Sequence, residues 1–351
     1  MPVRGAVSEF LAVARSPGVP AAPRPSLDHL DWGKIAKGTI DAYELAIRHR
    51  RRRTRRLRPS VLSRAHSRGD IKAKKYARGP FSSLGGPLTL LKRAKGRVQR
   101  LATSLVWSLS AIALFKNWWT YFALLRARGE GRRVLETRKG EKLSVRENVW
   151  DARIIREIFV ERPYTKGIHD LPPNPVVVDV GGYIGDFSIY AASRLNASVI
   201  VYEPTSENWA MLKDNVARNG LESRVTPVNK AVGRDGTLTL NVEVSGQEVH
   251  SSSRWYPSAP KREVQSVTPD QIVADHQLDR IDLLKVDCEG GEYELFRHAS
   301  DDALERVDRL TLEWHGVGPE TDELLCELLA RLSAVGFHLR ATGPQVMSGA
   351  R

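Results

Sequence analysis

The sequence predicts an α/β fold with a doubly wound, mostly parallel sheet. From residue 175 onward, short apolar runs rich in Val, Ile and Leu alternate with segments of helical periodicity. This alternation is typical of parallel strands joined by right-handed helical crossovers. The first apolar run, 176–180, breaks into the glycine-containing segment 181–185 and resumes as a helix. A strand, a glycine turn and a helix N-terminus in this order are typical of a ligand site.

The individual elements follow from periodicity and from turn and cap residues. We predict strands over 176–180, 198–202, 225–228, 281–287, 309–314 and 337–341, with an edge hairpin arm over 237–244. We predict helices over 186–195, 206–219, 293–298 and 321–334, the second capped by Ser206, and a further helix that opens at Thr268-Pro269-Asp270. Upstream, 134–146 is typical of a hairpin and 151–159 of a helix.

The charged side chains are distributed unevenly along the 351 residues. Residues 48–100 hold 19 Lys or Arg against one acid, more than the whole net charge of +13, so the remainder is mildly acidic. Like charges at this density favour disorder. We therefore predict a basic, disordered leader over 1–100, a helical and hairpin segment over 101–165 that packs on the core, and the α/β domain over 166–345. The leader is either a solvated tail or an arm that binds phosphates.

Residues 101–125 form an apolar stretch interrupted by Lys116 and Asn117. The uninterrupted part is shorter than the roughly 20 residues that cross a bilayer. A helix packed on the domain is the favoured interpretation, and an interfacial helix in peripheral contact with a membrane is the alternative. Cys288 and Cys326 give neither a disulfide framework nor a metal-ligand spacing, so we expect a reduced, cytoplasmic protein without a metal site.

The first candidate site surrounds the glycine turn. Glu203 follows the second strand about 20 residues after Gly181, where a carboxylate can accept hydrogen bonds from both hydroxyls of a ribose. The glycines do not follow the G-x-G-x-x-G pattern of dinucleotide enzymes, so S-adenosylmethionine is favoured over NAD. The expected cofactor-binding residues, which share the carboxyl edge of the predicted sheet, are Asp179, Gly181, Tyr183, Gly185, Ser188, Glu203, Pro204 and Asn229.

A second candidate site lies at the end of the strand 281–287. Asp287 and Glu289 crowd this end together with Lys285, and His315 ends the next strand on the same edge. Carboxylates that crowd together raise one another's pKa values, which makes Asp287, Glu289 and His315 candidate catalytic residues for proton transfer. An ion-pair network that only organises the turn is the alternative.

These residues resemble the FkbM-type family of S-adenosylmethionine-dependent methyltransferases. The resemblance runs from about residue 115 to 340 and rests on the following segments: 179–185 with Ser188, 202–204, Asn215 with Asn219, 229–233, 285–292 and 312–315. It implies a class I Rossmann-like methyltransferase domain. It also implies O-methylation of a hydroxyl on a small molecule, a sugar or a natural product.

Two other functions stay open. An RNA methyltransferase could use the basic residues 48–100 to follow phosphates, although no Asn/Asp-Pro-Pro-Tyr/Phe motif follows the fourth strand. A non-catalytic module that keeps the fold and binds a partner is the third class. The sequence gives neither the acceptor nor the oligomeric state.

Overall fold

The computed structural model describes residues 106–127, 129, 131–147, 149–245, 248–252, 260–316, 321–343 and 345–351. The basic leader predicted over 1–100 lies outside these residues, so its predicted disorder stays a prediction.

The domain is built on a seven-stranded sheet with the order β12-β13-β11-β10-β3-β4-β5. Neighbouring strands from β11 to β5 pair in parallel, and β13 is antiparallel to both β11 and β12. The strands are β3 (Val176–Val180), β4 (Ser198–Tyr202), β5 (Val225–Val228), β10 (Leu283–Val286), β11 (Arg309–Glu313), β12 (His338–Ala341) and β13 (Val346–Ala350). This order is the doubly wound arrangement that the sequence predicts, with its switch point beside β3.

Helices cover both faces of the sheet because their apolar stripes match the buried strand residues. They are α1 (106–114), α2 (Trp118–Leu124), α3 (Val149–Arg156), α4 (Asp186–Arg194), α5 (Ser206–Arg218), α6 (Pro269–Asp275), α7 (Glu292–Arg297), α8 (Asp301–Glu305) and α9 (Thr321–Ala334). One π-helical turn, Glu157–Glu161, continues α3.

Cap geometry confirms one predicted helix start and corrects another. At α6, Thr268 accepts from the backbone of Gln271, the Gln271 side chain returns the bond, and Pro269 occupies the first turn. At α5, however, the N-cap is Thr205 rather than the predicted Ser206, and no side chain caps the helix. The backbone N–H of Thr205 instead donates to Glu203.

A second sheet of four strands, in the order β6-β9-β7-β8, extends the domain. Its strands are β6 (Ala231–Val232), β7 (Gly236–Ser245), β8 (Glu248–Ser252) and β9 (Lys261–Val267). The prediction that 237–244 forms an edge strand is wrong, because the strand found there, β7, pairs with β9 on one side and β8 on the other. Sequence patterning missed β9 and β8, whose polar residues give a weak strand signal.

The last strand also lies beyond the predicted end of the α/β domain at residue 345. β13 runs antiparallel beside β11, and a Cβ on Gly349 would meet the His338 carbonyl oxygen at 2.1 Å. The sequence of β13 contains Ser348 and Gly349, which carry little strand propensity, so the pattern did not reveal it.

The segment before the sheet consists of α1, α2, the hairpin β1 (Arg132–Glu136) and β2 (Lys142–Arg146), and α3. Its inner residues are buried, among them Ala111, Phe115, Tyr121 and Leu124. Outward-facing apolar residues remain exposed, including Trp107, Trp118 and Trp119. No helix among the described residues is long and apolar enough to cross a membrane. Peripheral membrane contact stays a prediction.

Asn215 of α5 connects the hairpin β1–β2 to the α/β domain through hydrogen bonds. Its Oδ1 accepts from the Ser144 backbone N–H at 2.6 Å, and its Nδ2 donates to the carbonyl oxygens of Ser144 (3.1 Å) and Ile184 (2.9 Å). The side chain is fully buried, so these backbone groups have no water to replace it. One helical turn later, Asn219 makes the same pair of bonds to Lys142 in an exposed position.

We expect Asn215→Ala to lower the free energy of unfolding by about 3 kcal/mol, because it leaves buried backbone donors and acceptors unpaired. Asn219→Ala is the matched control and should cost less than about 1 kcal/mol, since water can satisfy Lys142. Urea unfolding measures both values. Equal losses in the two variants would contradict this role of burial.

Candidate functional site

The strand register places one row of residues at the carboxyl edge of the sheet. Val180 is level with Tyr202 on β4 and with Val286 on β10, and Val286 is level with Leu312 on β11. The next residue on each strand is therefore in the next row: Gly181, Glu203, Asp287 and Glu313. Parallel strands align in this way because all of them end at the same edge. The two predicted sites are one continuous site.

The glycine turn begins where the backbone of β3 meets that of β10. Gly181 has a φ of +84°, and a Cβ at this position would lie 1.7 Å from the Asp287 carbonyl oxygen. Both the conformation and the close approach require glycine. The turn ends at Gly185, the N-cap of α4, which also has a positive φ. The chain is thus bent tightly around an open space above β3.

Glu203 lies at one side of this turn and is buried. Its Oε2 accepts from the Tyr183 N–H at 3.0 Å and its Oε1 from the Thr205 N–H at 2.8 Å. Burial raises the pKa of Glu203 to about 7, although these backbone donors favour the charged form. A side-chain hydrogen bond from Asn208 also favours the charged form of this carboxylate.

Tyr183, at the tip of the turn, is held by the segment before the sheet. Its hydroxyl donates to Asp151 Oδ1 at 2.7 Å, and its ring lies 5.0 Å from the Arg146 guanidinium. Arg146 in turn makes a bidentate pair with Asp151 and donates to Asn208 Oδ1 at 3.0 Å. These buried groups connect β2, α3 and α5 to the turn.

Below the turn, Lys285 and Asp179 form a buried ion pair on adjacent strands. Lys285 Nζ is 3.0 Å from Asp179 Oδ1 and donates to the Gly181 carbonyl oxygen at 2.7 Å. Ser188 donates to Asp179 Oδ2 at 2.6 Å. Burial raises the pKa of Asp179 even so, and the two acids Asp179 and Asp287 raise the pKa of Lys285 against the effect of burial.

On the other side of the turn, Tyr164 connects two acids. Its hydroxyl oxygen is 2.7 Å from Asp287 Oδ2 and 2.8 Å from Glu313 Oε2. Burial raises the pKa of Tyr164 far above its ordinary value, and burial followed by Asp287 raises that of Glu313 to about 7. The phenol therefore stays protonated at neutral pH.

His315 lies behind these acids among further carboxylates. Its Nε2 is 3.8 Å from both Asp287 and Glu289, and its Nδ1 is 3.4 Å from Glu292. Burial lowers the pKa of His315, but the nearby carboxylates outweigh it and raise the pKa to about 10. His315 is therefore an imidazolium at neutral pH, which cannot accept a proton.

The turn and the acids border an open cleft. Six of the residues predicted for the two sites line it: Gly181, Tyr183, Glu203, Pro204, Asp287 and Glu289. Apolar side chains from α3, α4 and the second sheet complete the lining, among them Ile154, Phe187, Val232 and Leu240. A mostly apolar cleft with a few convergent polar groups is typical of a small-molecule site.

Five predicted site residues do not line this cleft: Asp179, Gly185, Ser188, Asn229 and His315. For Asp179 and Ser188 the physical reason is that Ser188 donates to Asp179 below the turn, and Asp179 also pairs there with Lys285. Asn229 donates both amide hydrogens to the carbonyl oxygens of Glu203 and Pro204, so it shapes the turn after β4 rather than reading a ligand edge. These residues support the site from behind.

Sequence reasoning missed three residues that face the cleft or its turn: Tyr164, Arg146 and Asp151. All three come from the segment before the sheet, and Tyr164 follows the π-helical turn at 157–161. Such turns are frequent at functional sites, but no residue pattern announces one. A fourth missed residue, Asp186, opens α4 and lines the cleft, and it could have been found from its place after Gly185.

The fold and the site define a class of protein. A doubly wound sheet with an antiparallel β13, a glycine turn after β3 and an acid after β4 is the arrangement of Rossmann-like class I methyltransferases. Residues 179–339 match the model of the methyltransferase FkbM domain. Over residues 179–339 the chain is thus similar to this family of methyltransferases, as its sequence predicts.

Two curated relatives that are named as methyltransferases are similar to this chain. Methyltransferase sdnD of Sordaria araneosa is 28% identical over 208 residues, which cover 49% of this chain and 79% of the relative. The 31-O-demethyl-FK506 methyltransferase FkbM of Streptomyces tacrolimicus is 26% identical over 232 residues, 58% of this chain and 88% of the relative. Among solved structures, precorrin-6y C5,15-methyltransferase from Geobacter metallireducens GS-15 has a TM-score of 0.33 and 12% identity, covering 54% of this chain and 87% of that one.

We expect Gly181→Ala to destabilise the protein by about 4 kcal/mol or more, because the new Cβ overlaps the Asp287 carbonyl oxygen. Gly140→Ala is the matched control. Gly140 also has a positive φ (+105°), but no atom of the described residues lies within 4 Å of the position that a Cβ would occupy. This variant should lose only about 1 kcal/mol of stability, from the backbone strain that a Cβ adds at a positive φ. Thermal unfolding compares the two, and similar melting temperatures would refute the steric explanation.

Proposed function

We propose that this methyltransferase uses S-adenosylmethionine to methylate a hydroxyl oxygen of a small molecule, a sugar or a natural product. The observation that carries the proposal is the single row of Gly181, Glu203 and Asp287, which joins a nucleoside-binding end and a proton-accepting end in one cleft.

The donor end fits an adenosyl group. Glu203 faces the cleft as a carboxylate whose position is fixed by two backbone donors, and it would bind the ribose hydroxyls. Gly181 lets the turn approach the β10 backbone closely, which shapes this end of the cleft. Apolar residues such as Val232 and Leu240 offer a surface for the base. When bound there, S-adenosylmethionine supplies an electrophilic methyl group on a positively charged sulfur.

The acceptor end is suited to activating a hydroxyl. Asp287 lines the cleft, and its side chain keeps 27% of its exposure, so an acceptor can reach it. It would accept the proton of the hydroxyl as the oxygen attacks the methyl group. His315 was predicted as a further proton acceptor, but as an imidazolium it is better suited to pairing with the Asp287 carboxylate. Most of the rate enhancement would come from holding the oxygen in line with the methyl group.

The cleft argues for a neutral acceptor rather than RNA. Its lining holds five acids, Asp186, Glu203, Asp287, Glu289 and Glu294, against Lys230 and the ion-paired Lys285. Phosphates would be repelled at this surface. An RNA acceptor would depend on residues 48–100, which lie outside the described residues. A steep salt dependence of RNA binding that is lost on deleting 1–100 would favour that alternative.

We expect Glu203→Gln to weaken binding of S-adenosylmethionine about 10- to 100-fold, since a neutral amide cannot accept from both ribose hydroxyls. Wild-type affinity should also fall as the pH falls below about 7, where Glu203 takes up a proton. The variant should lack this pH dependence. Isothermal titration calorimetry with S-adenosylmethionine and S-adenosylhomocysteine measures both effects.

Glu207→Gln is the control for this experiment, because Glu207 opens α5 only four positions later and is exposed. It should bind like the wild type. A wild type that binds neither nucleoside would support a non-catalytic module instead. The acceptor is then sought by mass spectrometry of hydroxylated metabolites incubated with protein and donor, where the product gains the mass of one CH₂ group.

A further inference from the structure

Tyr164 and its two carboxylates form a chain of two short contacts. The phenol oxygen is 2.7 Å from Asp287 Oδ2 and 2.8 Å from Glu313 Oε2. A phenol has one proton and can donate along only one of these contacts. The other contact is a hydrogen bond only when a carboxyl group carries a proton. The observed arrangement therefore corresponds to two protons shared by three groups.

The surroundings decide which carboxyl group holds the second proton. Lys285 Nζ and His315 Nε2 each lie 3.8 Å from an Asp287 oxygen, so two cations face this carboxylate. Burial and the charge of Asp287 raise the pKa of Glu313 to about 7. In the arrangement with two protons, Glu313 is therefore the protonated partner: it donates to Tyr164, and Tyr164 donates to Asp287.

The two acids differ in access as well. Asp287 and Tyr164 line the cleft, whereas Glu313 is absent from its lining. Tyr164 thus connects an acid that an acceptor can reach with one behind it. The charged and titratable groups that face these three residues are Lys285, His315, Glu157, Glu289 and Asp179.

We propose that Tyr164 relays the proton of the acceptor hydroxyl from Asp287 to Glu313. This inference rests on the proposed methyl transfer. The acceptor O–H bond breaks as its oxygen bonds to the methyl group, and the proton joins Asp287. Tyr164 then takes this proton while passing its own to the Glu313 carboxylate. Asp287 is again ionised, Tyr164 is again a neutral phenol, and the net proton rests on Glu313, from which it later leaves to solvent.

Proton transfer to Glu313 increases the number of hydrogen bonds that Tyr164 makes. Before transfer, with Glu313 ionised, one of the two contacts of Tyr164 has no proton. After transfer both contacts are hydrogen bonds. A pKa of Glu313 near 7 makes it a competent proton acceptor at neutral pH. The reaction should accordingly speed up as the pH rises through about 7, where Glu313 becomes free to accept.

Tyr164→Phe is a clean test, because the ring packs against Phe187 at 5.6 Å and needs no hydroxyl for that contact. The first measurement uses the unliganded protein and follows the Glu313 carboxyl carbon by ¹³C NMR, assigned by its loss in Glu313→Gln. The wild-type midpoint should lie near 7. In Y164F it should rise by about one pH unit, since the donor to ionised Glu313 is lost.

Tyr190→Phe is the matched control. Tyr190 is a buried tyrosine that stacks on the same Phe187, at 6.2 Å, without forming part of the chain of acids. Its variant should leave the Glu313 midpoint unchanged. A Glu313 midpoint that is also unchanged in Y164F would overturn the proposal.

The second measurement is the pH profile of methyl transfer from radiolabelled S-adenosylmethionine into a hydroxylated metabolite extract. We expect Y164F to lose about 100-fold in kcat, and to lose the rise near pH 7, while the donor Kd stays at the wild-type value. A reduced rate with the wild-type pH profile would show a merely structural role and sink the relay. A wild type without any transfer would instead overturn the proposed function, and the relay with it.

Discussion

The buried ammonium of Lys285 is the constraint on which the site depends. Only 2% of this residue is exposed, and its strand register places it opposite Asp179, also buried. An unpaired charge in such a position costs several kcal/mol, so neither residue is tolerated without the other. The pair does more than neutralise itself, because Lys285 also binds the Gly181 carbonyl oxygen at 2.7 Å. That bond fixes the bend from which the rest of the cleft is built.

The same ammonium couples the two ends of the cleft. It lies 3.8 Å from Asp287 and 5.1 Å from the centre of the Tyr164 ring, so one cation stabilises both the glycine turn and the acids opposite it. Electrostatic interactions are strong here because little water reaches the group. A change in the protonation of the acids is therefore felt at the turn.

The site residues that the sequence could predict are those whose position follows from where the strands end. Gly181, Glu203 and Asp287 are each the first residue after a parallel strand, so knowing the strands was enough to place them in one row. Asp179 belongs to a strand, and its partner Lys285 could be found only from the register. Tyr164 comes from a turn after a π-helical segment, whose path depends on tertiary packing. Nearest-neighbour patterns carry no information about such a position.

Tyr183 shows that the segment before the sheet belongs to the site. A φ of +47° is costly for a residue with a Cβ, by about 1 kcal/mol or more, and it persists only where other contacts enforce it. Here the hydroxyl binds Asp151, which Arg146 holds in place, and the conformation turns the Tyr183 N–H toward Glu203. The orientation of the Glu203 carboxylate is thus set partly by the hairpin and α3. A catalytic domain cut at the start of the sheet would keep Glu203 but lose the contacts that position it.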